Sequence, residues 1–228
     1  MSKNLTQQLT HKLGEAIVKG DYPIGTRMPS EAVLCEQFEV SRSATREAVK
    51  MLSAKGLISS RPKQGITVNP ETLWNLYDSD VLVWILKSKP SLQLLKEFTE
   101  VRFAIEPMAA KLAAENATPQ QIKDIEQALY RISEAEEGLE DQLDAHLNFL
   151  NMILVASGNR FFIQLTQFVD AALRVSIRYT NQVKGISNTD LTFHVKVFNA
   201  IKDGDANTAQ ALIYEVLSDA VVLIESRL

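Results

Sequence analysis

Two short helical patterns near the start of the chain are separated by only two residues. Ser30 opens the first, SEAVLCEQF, and Ser41 opens the second, SRSATREAVK. A serine at such a position can cap a helix, because its hydroxyl accepts a hydrogen bond from an unpaired N–H group of the first turn. Only Glu39 and Val40 connect the two patterns. Two short helices joined by so tight a turn predict a helix-turn-helix.

The second of these helices carries an unusual charge for its position. Arg42, Arg46 and Lys50 recur every four residues, so they project from one side of the helix. Positive charge in the first turn opposes the helix dipole, whose N-terminal end favours anions. We therefore expect these side chains to interact with a polyanion rather than to stabilise their own helix.

The net charge of the chain is divided unevenly along its length. Residues 1–70 contain 10 Lys+Arg and 6 Asp+Glu, whereas residues 71–228 contain 14 and 22, so a basic first part precedes an acidic remainder. This division suggests a polyanionic partner for the first part only. The alternative on charge alone is a solvated charged surface with no partner.

Further patterns flank the helix-turn-helix. Residues 5–19 have apolar side chains at helical spacing, and GDYPIGTRMP then interrupts them with glycine and proline. After Gly56, LISSRPKQGITV has two short apolar runs around a basic polar turn, which predicts a β-hairpin. Helix, helix-turn-helix and hairpin predict a winged helix-turn-helix DNA-binding domain over residues 1–70, with a linker over 71–80.

The remainder, residues 81–228, is predicted to be an all-helical domain. Apolar residues recur there at three- and four-residue spacing, and Thr118 followed by Pro119 is a typical helix start. Glycines predict the helix breaks, at Gly138, Gly158, Gly185 and Gly204. We find no strand pattern and predict six or seven helices. The fold class is therefore mainly α, a winged helix-turn-helix followed by an all-α bundle.

Composition limits the cellular environment. Cys35 is the single cysteine, so no intramolecular disulfide can form and a reducing compartment is expected. The first residues, MSKNLTQQLT, have no apolar signal core, and no uncharged stretch has the length to span a bilayer. We expect a soluble cytoplasmic protein with no membrane partner.

Several motifs, in this order, resemble the GntR family of bacterial transcription regulators. The segment GTRMPSEAVLCEQFEVSRSATREAVKMLSAKGLI is similar to the DNA-binding domain of that family. The segments VRFAIEPMAAKLAAENAT, FLNMILVASGN and HVKVFNAIKDGD resemble its FadR-type ligand-binding domain, called FCD. The resemblance covers nearly the whole chain. It implies a homodimeric DNA-binding regulator in which residues 81–228 bind an effector and form the dimer.

The resemblance also implies which residues meet DNA. Arg42 and Arg46 are expected in the major groove, where arginine can bond both O6 and N7 of guanine. Lys50 and the serine hydroxyls are expected on phosphates, which fix the position without reading sequence. The wing departs from the family pattern, because Lys63 replaces the first of two glycines at its tip. The predicted DNA-binding residues are Arg27, Ser30, Ser41, Arg42, Thr45, Arg46, Lys50, Lys63, Gln64 and Gly65.

Many FCD domains hold a divalent metal with an aspartate and three histidines. The motifs place His146 where the aspartate belongs and Leu150 where the first histidine belongs. His194 matches the second histidine, and Val216 falls where the last belongs. Leucine and valine cannot ligate a metal. We predict no cofactor; the alternative is a divalent metal held by His146 and His194, with Asp144 or Asn151 as a further ligand.

An effector site is predicted around Arg102, which lies in a mostly apolar helix. An arginine facing inward there needs an anionic partner, either an internal acid such as Glu106 or the carboxylate of an effector. His146 and His194 are either hydrogen-bonded core histidines or effector ligands. The predicted effector-binding residues are Arg102, His146, Asn151, Arg178 and His194.

Several functions remain open on sequence alone. The leading hypothesis is a repressor of a sugar-acid catabolic operon, released from a pseudo-palindromic operator by a small carboxylate. It rests on LYDSDVLVWIL, which resembles the subgroup that responds to sugar acids such as galactonate. The alternatives are an activator of the same architecture, a regulator with a metal-assisted organic-acid effector, and a DNA-binding protein indifferent to sequence. Scattered histidines and the lack of a glycine-rich phosphate loop argue against an enzyme.

Overall fold

The computed structural model describes residues 5–61, 63–88, 91–135, 139–174 and 191–226. The chain forms two compact units, Met1–Pro90 and Ser91–Leu228. The first unit contains helices and a small sheet, and the described part of the second is helical with connecting turns. The predicted fold class, a winged helix-turn-helix followed by a helical bundle, is confirmed.

The first unit has the predicted order of elements and one more helix. Its elements are α1 (Leu5–Lys19), α2 (Glu31–Phe38), α3 (Arg42–Ala54), β1 (Ile58–Arg61), β2 (Gly65–Val68), a 3-10 helix (Glu71–Leu73) and α4 (Ser79–Ser88). The two strands pair antiparallel, with Ile58 opposite Val68 and Arg61 opposite Gly65. This hairpin is the wing.

Serine caps define the two helices of the helix-turn-helix. The Ser30 hydroxyl accepts from the Val33 N–H at 3.4 Å, and the Ser41 hydroxyl accepts from the Ala44 N–H at 3.2 Å. Between the helices, Glu39 adopts a left-handed backbone with φ of 53°. This conformation, uncommon for a residue with a side chain, reverses the chain within the short connection.

A single hydrophobic core joins α4 to the winged-helix elements. Trp84 of α4 is 1% exposed, and its indole covers Gly14 of α1 so closely that a Cβ there would lie 2.3 Å from the ring. The core residues include Leu9, Leu13, Ile17, Leu34, Leu52, Leu57, Ile66, Val68, Trp74, Val81 and Trp84. The sequence analysis predicted a linker over residues 71–80 and a second domain from residue 81, whereas the first unit of the structure extends to Pro90. The apolar side of α4 is buried within the first unit instead.

The second unit is a bundle in which long helices pack on one another. Its described helices are α5 (Leu92–Asn116), α6 (Pro119–Ser133), α7 (Leu139–Ala156), α8 (Arg160–Gln164), α9 (described over 166–174), α10 (Leu191–Lys202) and α11 (Ala206–Glu225). Helix α5 packs along α11, α6 packs along α7, and α10 contacts α5, α6 and α11. The described residues of this unit form seven helical segments, or eight when α4 is included, compared with the six or seven predicted for residues 81–228.

Local sequence signals explain the helix ends of the second unit. Thr118 and Gln121 form a reciprocal capping box, with Pro119 in the first turn. Gly158 and Gly204 follow α7 and α10 with φ of 68° and 74°, as expected for glycines that end helices. The other two predicted breaks, at Gly138 and Gly185, lie outside the described residues.

Helix α11 has the length and apolar composition that a membrane-spanning helix needs, the only such helix in the described part of the chain. A single match of this kind is weak evidence for a span. The helix packs along α5, and Ile213, Leu217 and Ile224 on that helix are buried in the bundle.

Candidate nucleic-acid interface and effector site

A concave surface in the first unit gathers basic side chains from α3 and the wing. We call it the basic groove. Its lining residues are Ser30, Glu31, Ala32, Arg42, Arg46, Val49, Lys50, Ser53, Ser60, Arg61, Lys63, Gly65 and Ile66. The capped start of α2, the exposed side of α3 and the wing therefore face one open space. A groove of this kind presents several cations together to an anionic partner.

The cations of α3 are exposed and only loosely paired. Arg46 is 68% exposed, with its Nε 3.6 Å from a carboxylate oxygen of Glu31. Lys50 donates from Nζ to Glu47 at 2.8 Å, and both side chains are more than half exposed. Exposed ion pairs of this type contribute about 0–1 kcal/mol. Both cations can therefore exchange their acid for a phosphate or a base edge at little cost.

The wing tip is basic and conformationally unusual. Lys63 has φ of 63°, in the left-handed region that favours glycine, and Gly65 has φ of 83°. Lys63, Gln64 and Gly65 are all exposed. Arg61, which the sequence prediction did not include, also lines the basic groove. Successive side chains of a strand point to opposite faces, so Arg61, three residues after buried Ile58, lies on the exposed face of β1. This alternation was visible in the sequence.

Four of the predicted DNA-binding residues lie outside the lining of the basic groove: Arg27, Ser41, Thr45 and Gln64. Thr45 is 0% exposed, and its hydroxyl donates to the Ser41 carbonyl and accepts from the Cys35 thiol, each at 3.2 Å. This burial contradicts the predicted DNA contact of Thr45, which packs α2 against α3. Arg27 is exposed beside the wing, where its backbone forms a bridge with Thr67, outside the lining of the basic groove.

In the second unit, Arg102 has an internal partner. Its Nε donates to one carboxylate oxygen of Glu106 at 2.6 Å, and its Nη2 donates to the other at 3.0 Å. Arg102 is 9% exposed and Glu106 is 5% exposed. Of the two partners considered from sequence, the internal acid is therefore the one present. Because the residues lie one turn apart on α5, a single helix provides both charges.

His146 of α7 and His194 of α10 are hydrogen-bonded to each other. His146 Nδ1 lies 2.8 Å from His194 Nε2, so one ring donates and the other accepts. Phe149 and Phe193 contact the His194 ring edge-on. Burial, and after it the electrostatic effects of His194 and Arg102, lower the pKa of His146 to about 3. His146 is therefore a neutral imidazole at neutral pH.

The other predicted effector residues are placed differently. Asn151 donates from its side chain to Asp170 at 3.1 Å. Arg174 pairs with the same aspartate and with Asp144. Asn151 thus bonds within a second polar cluster between α7 and α9, and Arg178 lies outside the described residues. The structure brings Arg102 close enough to His146 to lower its pKa.

The residues of this site do not fit the family's metal centre. Leu150 is buried in the core, and Val216 is 39% exposed on α11, so neither aligned position offers a ligand atom. Within the described ranges, no group of three or more His, Cys, Asp and Glu side chains could hold a metal ion. A protein metal site normally takes three or four such ligands. Effector binding without a metal stays a prediction.

Comparison with known proteins follows the same division of the chain. Residues 5–68 match the family model described as bacterial regulatory proteins, gntR family, and residues 97–219 match the FCD domain. The galactonate operon transcriptional repressor of Escherichia coli (strain K12) is 34% identical over 93% of this chain and 94% of that protein. The regulator YieP of the same strain is 34% identical over 92% of this chain and 93% of its own length.

Solved structures show the same fold. Escherichia coli McbR/YncC superposes with a TM-score of 0.55 and 20% identity, over 99% of each chain. Streptococcus agalactiae GntR superposes with a TM-score of 0.51 and 23% identity, over 95% of this chain and 99% of that one. At these identities the structural likeness concerns the fold alone.

Proposed function

Given that this chain belongs to the GntR family of bacterial regulatory proteins and carries an FCD domain, we propose that it represses a sugar-acid catabolic operon. The family makes it a ligand-responsive DNA-binding transcription regulator and not an enzyme. In the proposal, a small carboxylate releases it from its operator. The observation that carries this is the full-length likeness to the galactonate operon repressor.

The basic groove supports the DNA-binding half of the proposal. Helix α3 enters the major groove, where Arg42 and Arg46 bond guanine edges. Lys63 and Gly65 at the wing tip follow the adjacent backbone, and Lys50 contacts a phosphate. A helix-turn-helix protein of this type reads two half-sites as a dimer, so the operator is pseudo-palindromic and the active form is a homodimer in the cytoplasm.

The buried ion pair supports a carboxylate effector. Two of the five N–H donors of Arg102 bond to Glu106, and an effector carboxylate can meet the same guanidinium or displace Glu106 from it. Neutral His146 suits the hydroxyl groups of a sugar acid, because imidazole and hydroxyl both donate and accept, and the ring of His194 lies beside it. The effector thus meets one cation and two imidazole rings, without a metal.

Operator release by matched ligands tests the proposed function. Purified protein is titrated with operator DNA from its own promoter region, with and without galactonate, related sugar acids and the neutral alditols of the same carbon chain. We expect a sugar acid to weaken operator binding at least about tenfold, which is about 1.4 kcal/mol. The alditols and added chelator are expected to leave binding unchanged. Release by none of the acids would contradict the proposal, and loss of release when chelator is added would favour a metal-assisted effector.

A double substitution separates effector binding from folding. Arg102→Gln with Glu106→Gln removes both charges, so no buried charge is left unpaired. We expect this variant to bind the operator as the native protein does and to be insensitive to the sugar acid. Retained sensitivity would remove Arg102 from the effector site.

A further inference from the structure

The C-terminal end of α3 is tied to the segment that precedes α4. Lys55 is the cap residue directly after Ala54, the last residue of α3. Its Nζ donates to both carboxylate oxygens of Asp78 at 2.7 Å and to Asp80 at 3.0 Å. Its carbonyl accepts from the Asn75 N–H at 3.0 Å. Through its side chain and its backbone carbonyl, Lys55 therefore connects α3, the recognition helix, to α4 and to the segment before it.

This ion pair is better shielded than those in the basic groove. The Lys55 side chain is 12% exposed, and its Nζ lies 5.7 Å from the centre of the Trp84 ring. Burial lowers the pKa of Lys55, but hydrogen bonds and charges from Asp78 and Asp80 outweigh it and raise the pKa above its ordinary value. The shielded Lys55 ammonium group, bonded to two carboxylates, is therefore held more firmly than the cations of the exposed ion pairs on α3.

Helix α4 is in turn fixed to α1. The Trp84 indole N–H donates to His11 Nδ1 at 3.0 Å, and the two rings meet edge-on. The indole also covers Gly14, which leaves no space for a Cβ. His11 Nε2 lies 3.6 Å from Asp80, one of the two acids that hold Lys55. The same group of side chains therefore connects α1, α4 and the end of α3.

The backbone reinforces this connection at the turn between α3 and β1. A Cβ on Gly56 would lie 2.1 Å from the Leu73 carbonyl oxygen, so the chain before α4 crosses directly over the turn. The Gly56 carbonyl accepts from the side-chain amide of Asn69 at 2.8 Å. Helix α3 ends at this turn and the wing begins directly after it, so the segment lies where their relative placement is set.

We infer that Asp78 and Asp80 are positioning residues for DNA recognition, acting through Lys55. They hold the C-terminal end of α3 and the turn into the wing in the arrangement that lets Arg42 and Arg46 reach base edges. Neither acid lines the basic groove. Helix α4 is also the last described helix before the chain enters the second unit, so a displacement of α4 passes to the recognition helix through Lys55.

Charge-matched variants of the full-length protein test this role. Asp78→Asn with Asp80→Asn removes both charges, yet asparagine at 78 can still accept from the first N–H groups of α4, as Asp78 does. The control is Glu15→Gln with Asp21→Asn, two exposed acids of the same unit. Both variants lose two negative charges, so both gain the same general affinity for DNA.

The measured quantity is the ratio of affinities for operator and random DNA at one salt concentration. We expect this ratio to fall about tenfold in the Asp78/Asp80 variant and to change less than about twofold in the control, since misplaced arginines lose base contacts and keep phosphate contacts. Amide hydrogen exchange at the end of α3 is expected to quicken only in the first variant. An equal ratio in both folded variants would overturn the inference.

Substitution of Lys55 gives an independent measurement if the asparagine variant does not fold. Lys55→Arg keeps the cation, and we expect it to retain the affinity ratio. Lys55→Met keeps the aliphatic contact with Trp84 without the charge, and we expect the tenfold loss. Equal ratios for the arginine and methionine variants would overturn the inference.

Discussion

The basic groove and the Arg102–Glu106 site use arginine in opposite ways. In the groove, Arg46 is mostly exposed and lies 3.6 Å from its acid, whereas Arg102 is 9% exposed and makes two bonds of 2.6 and 3.0 Å. Water screens the first pair and leaves it weak. The second pair has lost its hydration, so each charge depends on the other.

This difference fits the two partners. A DNA backbone is a large polyanion that meets several exposed cations at once, and each cation exchanges its acid with little loss. A small ligand that reaches Arg102 has to compete with a carboxylate already in place. In the proposed function, DNA therefore exchanges with acids at exposed cations, whereas the effector meets a buried guanidinium whose acid is already in place. Four predictions test this contrast.

The largest effect, on the free energy of unfolding, is expected when only one residue of the buried Arg102–Glu106 pair is replaced. Arg102→Ala leaves the Glu106 carboxylate buried without its cation, and we expect the free energy of unfolding to fall by about 3–5 kcal/mol. Denaturant unfolding measures it. The double variant Arg102→Met with Glu106→Leu removes both charges and should recover most of the loss. If the single variant is as stable as the double one, Arg102 and Glu106 do not depend on each other.

Breaking the exposed pair should change binding and leave stability intact. Arg46→Ala removes a base contact worth about 1–3 kcal/mol, so operator affinity should fall roughly tenfold to a hundredfold. The free energy of unfolding should change by less than about 1 kcal/mol, because the lost ion pair with Glu31 is exposed. Glu31→Gln is the matched control for the pair itself. Unchanged operator affinity in Arg46→Ala would exclude a recognition role.

Acid should weaken the second unit through His146. Its native pKa of about 3 lies below the value of about 6.5 for free histidine, so the unfolded chain takes up the proton first as the pH falls. The free energy of unfolding should therefore decline from about pH 6.5 towards pH 3, by at most about 1.4 kcal/mol per pH unit from this group. His146→Gln should show a shallower decline over that window. Parallel curves for the two proteins would show that His146 is not held neutral by the fold.

Local signals made the winged helix predictable from sequence. Ser30, Ser41 and the basic spacing of α3 act within a few residues, so caps, turn and exposed cations follow from the residues themselves. The burial of Thr45 was not predictable in this way, because it depends on how α2 packs against α3.

Long-range contacts account for the remaining differences. The sequence of α4 shows only that the helix is apolar, not which unit it packs in. Trp84 packs within the first unit because its ring fits over Gly14 of α1. For Arg102, the four-residue spacing to Glu106 was visible in the sequence, yet the depth of the pair depends on helices from distant parts of the chain. Charge spacing therefore indicated both groups of arginines, whose roles stay predictions, and packing determined which of them is buried.

The smallest effect, on DNA affinity, is expected from substitution of Lys50, the other exposed and paired cation of α3. Lys50→Gln should lower operator and random-DNA affinity by the same factor, and the slope of log affinity against log salt should decrease by about 0.9 for each bound protomer, because each protomer loses one phosphate contact. Salt titrations with both DNAs measure this. Glu47→Gln, which removes the acid partner of Lys50, should raise both affinities slightly. A change in the ratio of operator to random affinity in Lys50→Gln would mean that Lys50 reads a base, and base reading would then extend beyond the first two turns of α3.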